Sequence, residues 1–182
     1  MAINAKGGVK IIGKSKMIRI MDRMGSIKKK RWWMNKEVPQ TIVDVGFDFI
    51  PDNKQVWAIV EKEEIPITLM PIGELIWAFD YPFLWHGSEV FNLKPIDVVN
   101  NLLTYTDEHT RILKADMQYP IDIMKTKRDQ GSRWLTLDGL HRLMKAYILN
   151  KEAHGGIFCK DMLVKTHKVP RKNIPFIKRM HR

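Results

Sequence analysis

The chain contains a single cysteine, Cys159, among its 182 residues. That excludes an intramolecular disulfide, a cysteine-built zinc site and a two-thiol redox pair. It has no run approaching about 18 consecutive apolar residues, so a membrane span is not expected. The amino-terminal lysines are not followed by an apolar stretch and a small-residue cleavage site. A secretory signal is therefore not expected, and a cytoplasmic location is. Internal repeats are lacking too. Acidic charge is scarce at both ends: residues 1–36 hold eleven Lys/Arg against one acid, Asp22, and residues 125–182 hold fifteen against four. Residues 37–124 invert the balance, with five Lys/Arg against fifteen acids. The net charge of +11 thus comes from basic ends around an acidic centre. Basic ends favour a polyanionic partner, nucleic acid first, although anionic lipid or an acidic protein satisfies the same arithmetic.

The basic ends carry their own detail. Ser15 reads as the cap of a short helix with Met17, Ile18, Ile20, Met21 and Met24 on its apolar side. After Gly25-Ser26 comes Lys28-Lys29-Lys30-Arg31-Trp32-Trp33, the candidate nucleic-acid-binding segment. Cations there can meet phosphates while the indoles stack on bases. The alternative is a solvated arm whose tryptophans tuck onto the domain.

Between the ends, alternation predicts strands. Val43, Val45, Phe47 and Phe49 alternate with Asp44 and Asp48, and Pro51-Asp52-Asn53-Lys54 reads as a turn into Gln55–Val60, giving a β-hairpin over 37–61. Ile65–Met70 is a third strand, with Pro66 arguing for an edge or strand-start position. The loop 79–92 is aromatic-rich. Tyr81, Phe83, Trp85 and His86 form either a pocket for a planar ligand or a lid of core aromatics. Pro95 starts one short helix, Thr106 caps a second with Asp107 and Glu108 in its first turn, and a strand begins at Tyr119. A turn over 127–132 returns the chain into a strand over Arg133–Leu137, and Ile157–Val164 is the last strand.

The most informative stretch is Arg133-Trp-Leu-Thr-Leu-Asp-Gly-Leu-His-Arg-Leu-Met-Lys-Ala-Tyr147. It predicts an apolar strand, an Asp138-Gly139 turn and an amphipathic helix. A helix amino terminus presents free N–H groups and the positive end of the macrodipole, which suits a phosphate. His141 and Arg142 would add directed charge there. The competing reading is an ordinary strand–turn–helix junction with Asp138 as cap.

The order of elements over 62–165, with Ile65-Pro-Ile-Thr-Leu, Tyr119-Pro-Ile-Asp-Ile and Leu137-Asp-Gly-Leu-His-Arg-Leu-Met-Lys-Ala146, resembles the ParB/sulfiredoxin-like superfamily, also called ParB-like nuclease domains. The resemblance implies an α+β fold: a mixed sheet with short helices, here preceded by the hairpin and by a basic arm over 1–36, and followed by a basic tail over 166–182. It implies a nucleotide site at the turn, with Gly139, Leu140, His141 and Arg142 holding phosphate. Sulfiredoxin-like members use a Gly-Cys-His-Arg turn, and Leu140 stands at the cysteine position, so their thiol chemistry is excluded. The Gly-Glu-Arg-Arg turn of CTP-binding partition proteins is absent, and too few residues follow for their helix-turn-helix domain. Small-molecule kinases of the superfamily have an Asp-Gly-His-x-Arg turn, nearer in its acidic start.

The implied activity is phosphoryl transfer or hydrolysis with ATP or another nucleotide and Mg²⁺. Asp138 and His141 are the catalytic candidates, Asp138 also as a Mg²⁺ ligand, and Asp116 is a second carboxylate chosen from spacing. Lys145, one turn beyond Arg142, would either lengthen the basic face or be plain surface. A DNA-binding protein or nuclease using the basic arms is the alternative, and a non-catalytic assembly module is the third.

Overall fold

A computed structural model describes residues 37–126 and 131–179, of which 177–179 are described in backbone only. The segment Lys28–Trp33, the helix expected after Ser15 and most of the turn over 127–132 lie outside the described residues. Contacts divide the chain after Asn35, one residue before the expected boundary, and residues from Lys36 onward form their own unit.

That unit is α+β around a four-stranded mixed sheet. Its strands are β2 (Ile67–Pro71), β5 (Ile121–Lys125), β6 (Trp134–Asp138) and β7 (Leu163–Lys168). They lie in the order β2-β7-β5-β6, with only β5 and β7 parallel. β2 is an edge strand, and Pro66 stands immediately before its first residue, outside the ladder, where a proline's missing N–H costs no strand bond. The parallel β5–β7 pair needs a crossover connection, and the longest helix, α5 (Leu140–Ala153), lies within it.

Strand alternation sorts the sheet into two faces. On one, Met70, Ile121, Ile123 and Val164 join a buried cluster with Leu143, Met144 and Ala146 of α5, Val98 of α3 (Pro95–Asn100) and Ile112 of α4 (Thr106–Lys114). Phe79 and Leu75, from the 3₁₀ turns over 72–80, close that cluster. On the other face Met124 and Leu135 are fully buried, and Arg171 reaches both Met124 Sδ and the Gly46 carbonyl. Ile42, Val45, Phe47 and Val56 supply the buried apolar side chains of this second layer.

The second layer corrects the hairpin expected over 37–61. Gln40–Asp44 is a helical turn, α1, and Asn53–Lys62 is a full helix, α2, with only Phe49–Pro51 extended as β1. Asp52 accepts from the Gln55 N–H at 3.4 Å and caps α2, turning an expected loop into a helix start. Val56 is then buried and Asn53, Ile59 and Val60 are half-buried, at helical rather than alternating spacing. β1 does pair, but with β8 (Phe176–Arg179). The tail expected from residue 166 is therefore partly structure: Thr166 lies inside β7, Arg171 bonds Asp48, and β8 completes a two-stranded sheet.

The aromatic-rich loop also acquires regular structure, β3 (Leu84–His86) and β4 (Glu89–Leu93). Asn92 joins them by accepting from the His86 N–H at 2.8 Å and donating to its carbonyl at 2.9 Å. The strand expected from Tyr119 begins at Ile121, and the one expected over Ile157–Val164 occupies Leu163–Lys168. Among the described residues no helix is long and apolar enough to cross a membrane.

Candidate functional site

The strand–turn–helix expected at the Asp-Gly-Leu-His-Arg stretch is present as β6, Gly139 and α5. Gly139 occupies the amino-cap position at φ 96°, in the left-handed region where a side chain is strained. A Cβ there would also lie 2.8 Å from Arg142 Nη2. The glycine is needed for the turn, and it also leaves room for the guanidinium to fold over it.

No side chain caps α5 and no acidic residue lies in its first turn. The first helical bond runs from the Leu143 N–H to the Gly139 carbonyl at 2.9 Å. The N–H groups of Leu140, His141 and Arg142 precede it and have no intrahelical acceptor. Asp138 is not the cap. Its carboxylate turns away and accepts from Arg142 Nη2 at 3.0 Å, Trp57 Nε1 at 3.2 Å and Asn53 Nδ2 at 3.4 Å. α2 thus reaches across to the end of β6. Leu140 packs its side chain against the core, so only its backbone N–H faces the turn.

His141 is held from a neighbouring helix. Its Nε2 lies 2.6 Å from Glu108 Oε2 on α4, and Glu108 is buried. Arg111 donates to the other Glu108 oxygen at 3.0 Å. A carboxylate can only accept, so Nε2 is the donor in this contact and Nδ1 is the ring nitrogen that Glu108 leaves unengaged. Lys145 does not extend the basic face. It donates to the carbonyls of Leu113 and Ala115, both at 2.8 Å, and so ties the carboxyl end of α4 to α5.

Asp116, the expected second carboxylate, spends both oxygens on Gln118. Bonds from the Gln118 backbone and then its side chain hold the Asp116 carboxyl below its ordinary range, with smaller help from the Lys145 and Arg142 charges. It feels the site without touching it. The buried carboxylate that does touch a catalytic candidate is Glu108, which sequence reading placed only in the first turn of a helix. One signal was present: Glu108 stands four residues before Ile112, on the face that α4 buries.

A second missed carboxylate is Asp122, inside β5. It is buried, stands opposite both Asp138 and His167 in the sheet register, and accepts from or shares a proton with His167 Nδ1 at 3.1 Å. Burial pushes the Asp122 carboxyl up; the bond to His167 opposes this, and the Asp138 charge reinforces it. A carboxyl raised in the folded state stabilises the fold below its ordinary range, and that contribution is lost as pH rises through the folded value. Asp122→Asn is therefore expected to raise the melting temperature at neutral pH, with the gain vanishing near pH ~4 and below. A loss at neutral pH that is absent in acid would show instead that the His167 pair dominates.

Tyr81 meets Trp77, Phe83 meets Phe47, Trp85 meets Phe91 and His86 meets Tyr105. Phe47 also meets Phe91, so Phe83 and Trp85 belong to one aromatic cluster, while Trp85 and His86 remain exposed. Among the described residues no group of three or more His, Cys, Asp and Glu side chains is placed to hold a metal ion. Asp138, the expected Mg²⁺ ligand, is surrounded by N–H donors, which suit an anion and not a cation's shell.

No protein-family model, no curated protein and no solved structure matches this chain.

Proposed function

We propose that this chain is a ParB/sulfiredoxin-like protein that binds a nucleotide by its phosphates at the amino end of α5 and performs phosphoryl transfer or hydrolysis there. The observation that carries the reading is the 2.6 Å contact between buried Glu108 and His141, one residue into a helix whose amino terminus has no side-chain cap. A carboxylate-oriented imidazole beside free N–H donors is what proton transfer at a phosphate needs.

In this reading the Leu140, His141 and Arg142 N–H groups hold phosphate oxygens. Glu108 fixes the His141 ring and stabilises the imidazolium that forms when Nδ1 takes a proton from a water or acceptor hydroxyl. Arg142, whose buried Nε has no partner, adds charge against the phosphoryl oxygens. Mg²⁺ would be held chiefly by the nucleotide's phosphates, because Asp138 does not present a cation site.

Differential scanning fluorimetry with ATP, GTP and CTP in the presence of Mg²⁺ tests the binding step. At a hundredfold excess over the dissociation constant, a ligand specific to the native state stabilises by about 2.7 kcal/mol. His141→Ala and Arg142→Ala are expected to remove the shift. No shift with any of the three nucleotides would overturn the proposal.

A further inference from the structure

The far end of β6 carries an arrangement that the phosphate site does not use. Lys125 Nζ lies 5.2 Å and Lys168 Nζ 5.3 Å from the centre of the Trp134 ring. Arg133 Cζ lies 5.4 Å from the centre of the Trp77 ring. Trp77 Nε1 donates to the Trp134 carbonyl at 2.9 Å, which fastens the two indoles together. Register explains the assembly: Lys125 stands opposite Trp134, and Lys168 stands opposite Ile123 on the same face, so the β5, β6 and β7 strands each deliver one member.

The three cations are exposed, and the two indoles are half-buried. None of the three has a carboxylate partner among the described residues, whose ion pairs involve Arg111, Arg142, Arg171, His141 and His167. A cation over an indole gains roughly 0.5–1 kcal/mol at an exposed site, enough to bias a lysine rotamer without neutralising its charge. Among the described residues the patch is thus a row of positive charge without carboxylate partners, with indole rings between. Four residues of strand, about 13 Å, separate it from Asp138.

We infer that this patch is a nucleic-acid-binding surface of the folded unit, distinct from the candidate phosphate site and from the basic segment Lys28–Trp33. A phosphodiester strand alternates anionic phosphates with flat bases, and the patch alternates cations with flat rings. The lysines held on Trp134 meet phosphates, and the Trp77 and Trp134 edges border the bases.

The test uses the full chain and fluorescence anisotropy with a labelled oligothymidylate and a labelled random-sequence duplex, titrated with salt. Lys125→Ala combined with Lys168→Ala is expected to weaken binding roughly tenfold. It should also flatten the log–log salt slope by about 1.4 on the single strand, because each cation contributes about 0.7. Lys62→Ala combined with Lys114→Ala removes the same charge elsewhere and is expected to leave the slope unchanged. If the patch variant binds like the wild type, or no more weakly than this control, the inference fails. It also fails if the variant loses affinity for phosphatidylserine vesicles but keeps its affinity for both oligonucleotides. Should the double alanine variant fold poorly, Lys168→Glu alone is measured against Lys114→Glu under the same criteria. Because the phosphate site is untouched by these variants, their outcome is independent of the nucleotide thermal shift.

Discussion

Glu108→Gln is expected to lower nucleotide-dependent turnover by about 10²–10⁴-fold while leaving nucleotide binding close to wild type. Glutamine preserves the volume of the buried side chain and still bonds His141, but it carries no charge to offset an imidazolium. Its amide can also donate to Nε2 and so favour the wrong tautomer of the ring. His141→Ala removes the base itself and is expected to fall in the same range. The two losses should not add, because Glu108 acts only through His141. Single-turnover rates, with the thermal shift as the binding control, separate chemistry from affinity. A Glu108→Gln rate within about threefold of wild type, with nucleotide bound, would end the proton-transfer role while leaving the phosphate site standing.

Leu143→Ala is expected to cost about 2–5 kcal/mol of folding stability, read as a lower urea midpoint. Leu143 is fully buried, belongs to the cluster under the sheet, and supplies the N–H of the first helical bond to Gly139. Truncating it leaves a cavity directly beneath the turn. The nucleotide-induced shift should weaken in this variant although no ligand-facing side chain has changed. A cost below about 1 kcal/mol would mean that the first turn of α5 is not anchored by the core, and that its N–H groups are not preorganised.

The turn was legible because its determinants are local. Trp134, Leu135 and Leu137 carry apolar and aromatic strand character, Gly139 supplies a left-handed residue, and the following residues have helical spacing. Pro66 likewise marked an edge or a strand start, and it stands just before β2, because the missing donor acts within its own residue. The segment 41–60 misled for the converse reason. Its alternating apolar residues satisfy a strand locally, yet Asp52 caps a helix and the partner of Phe49–Pro51 is the distant Phe176–Arg179. No short window contains that partner. Pattern alone assigns a period to such residues, while burial from another part of the chain decides which period is used.

The site divides in the same way. Sequence alone determined the charge polarity of the chain, the Asp138-Gly139 junction, and the presence of His141 and Arg142 at the start of a helix. It also left no thiol at the turn, since Leu140 stands there and the lone Cys159 lies later in the chain. Only the tertiary structure decided where those side chains point. Arg142 folds back on Asp138, Asp138 is taken by Trp57 and Asn53, and His141 turns to Glu108, 33 positions earlier in the chain. It likewise decided that Asp122 faces Asp138 and that Lys125, Lys168 and Arg133 converge on two indoles. Backbone conformation is set largely by neighbours in sequence, so a turn can be read from the residues that form it. The partner of a polar side chain is set by which elements pack together, and that contact is written nowhere in the local pattern.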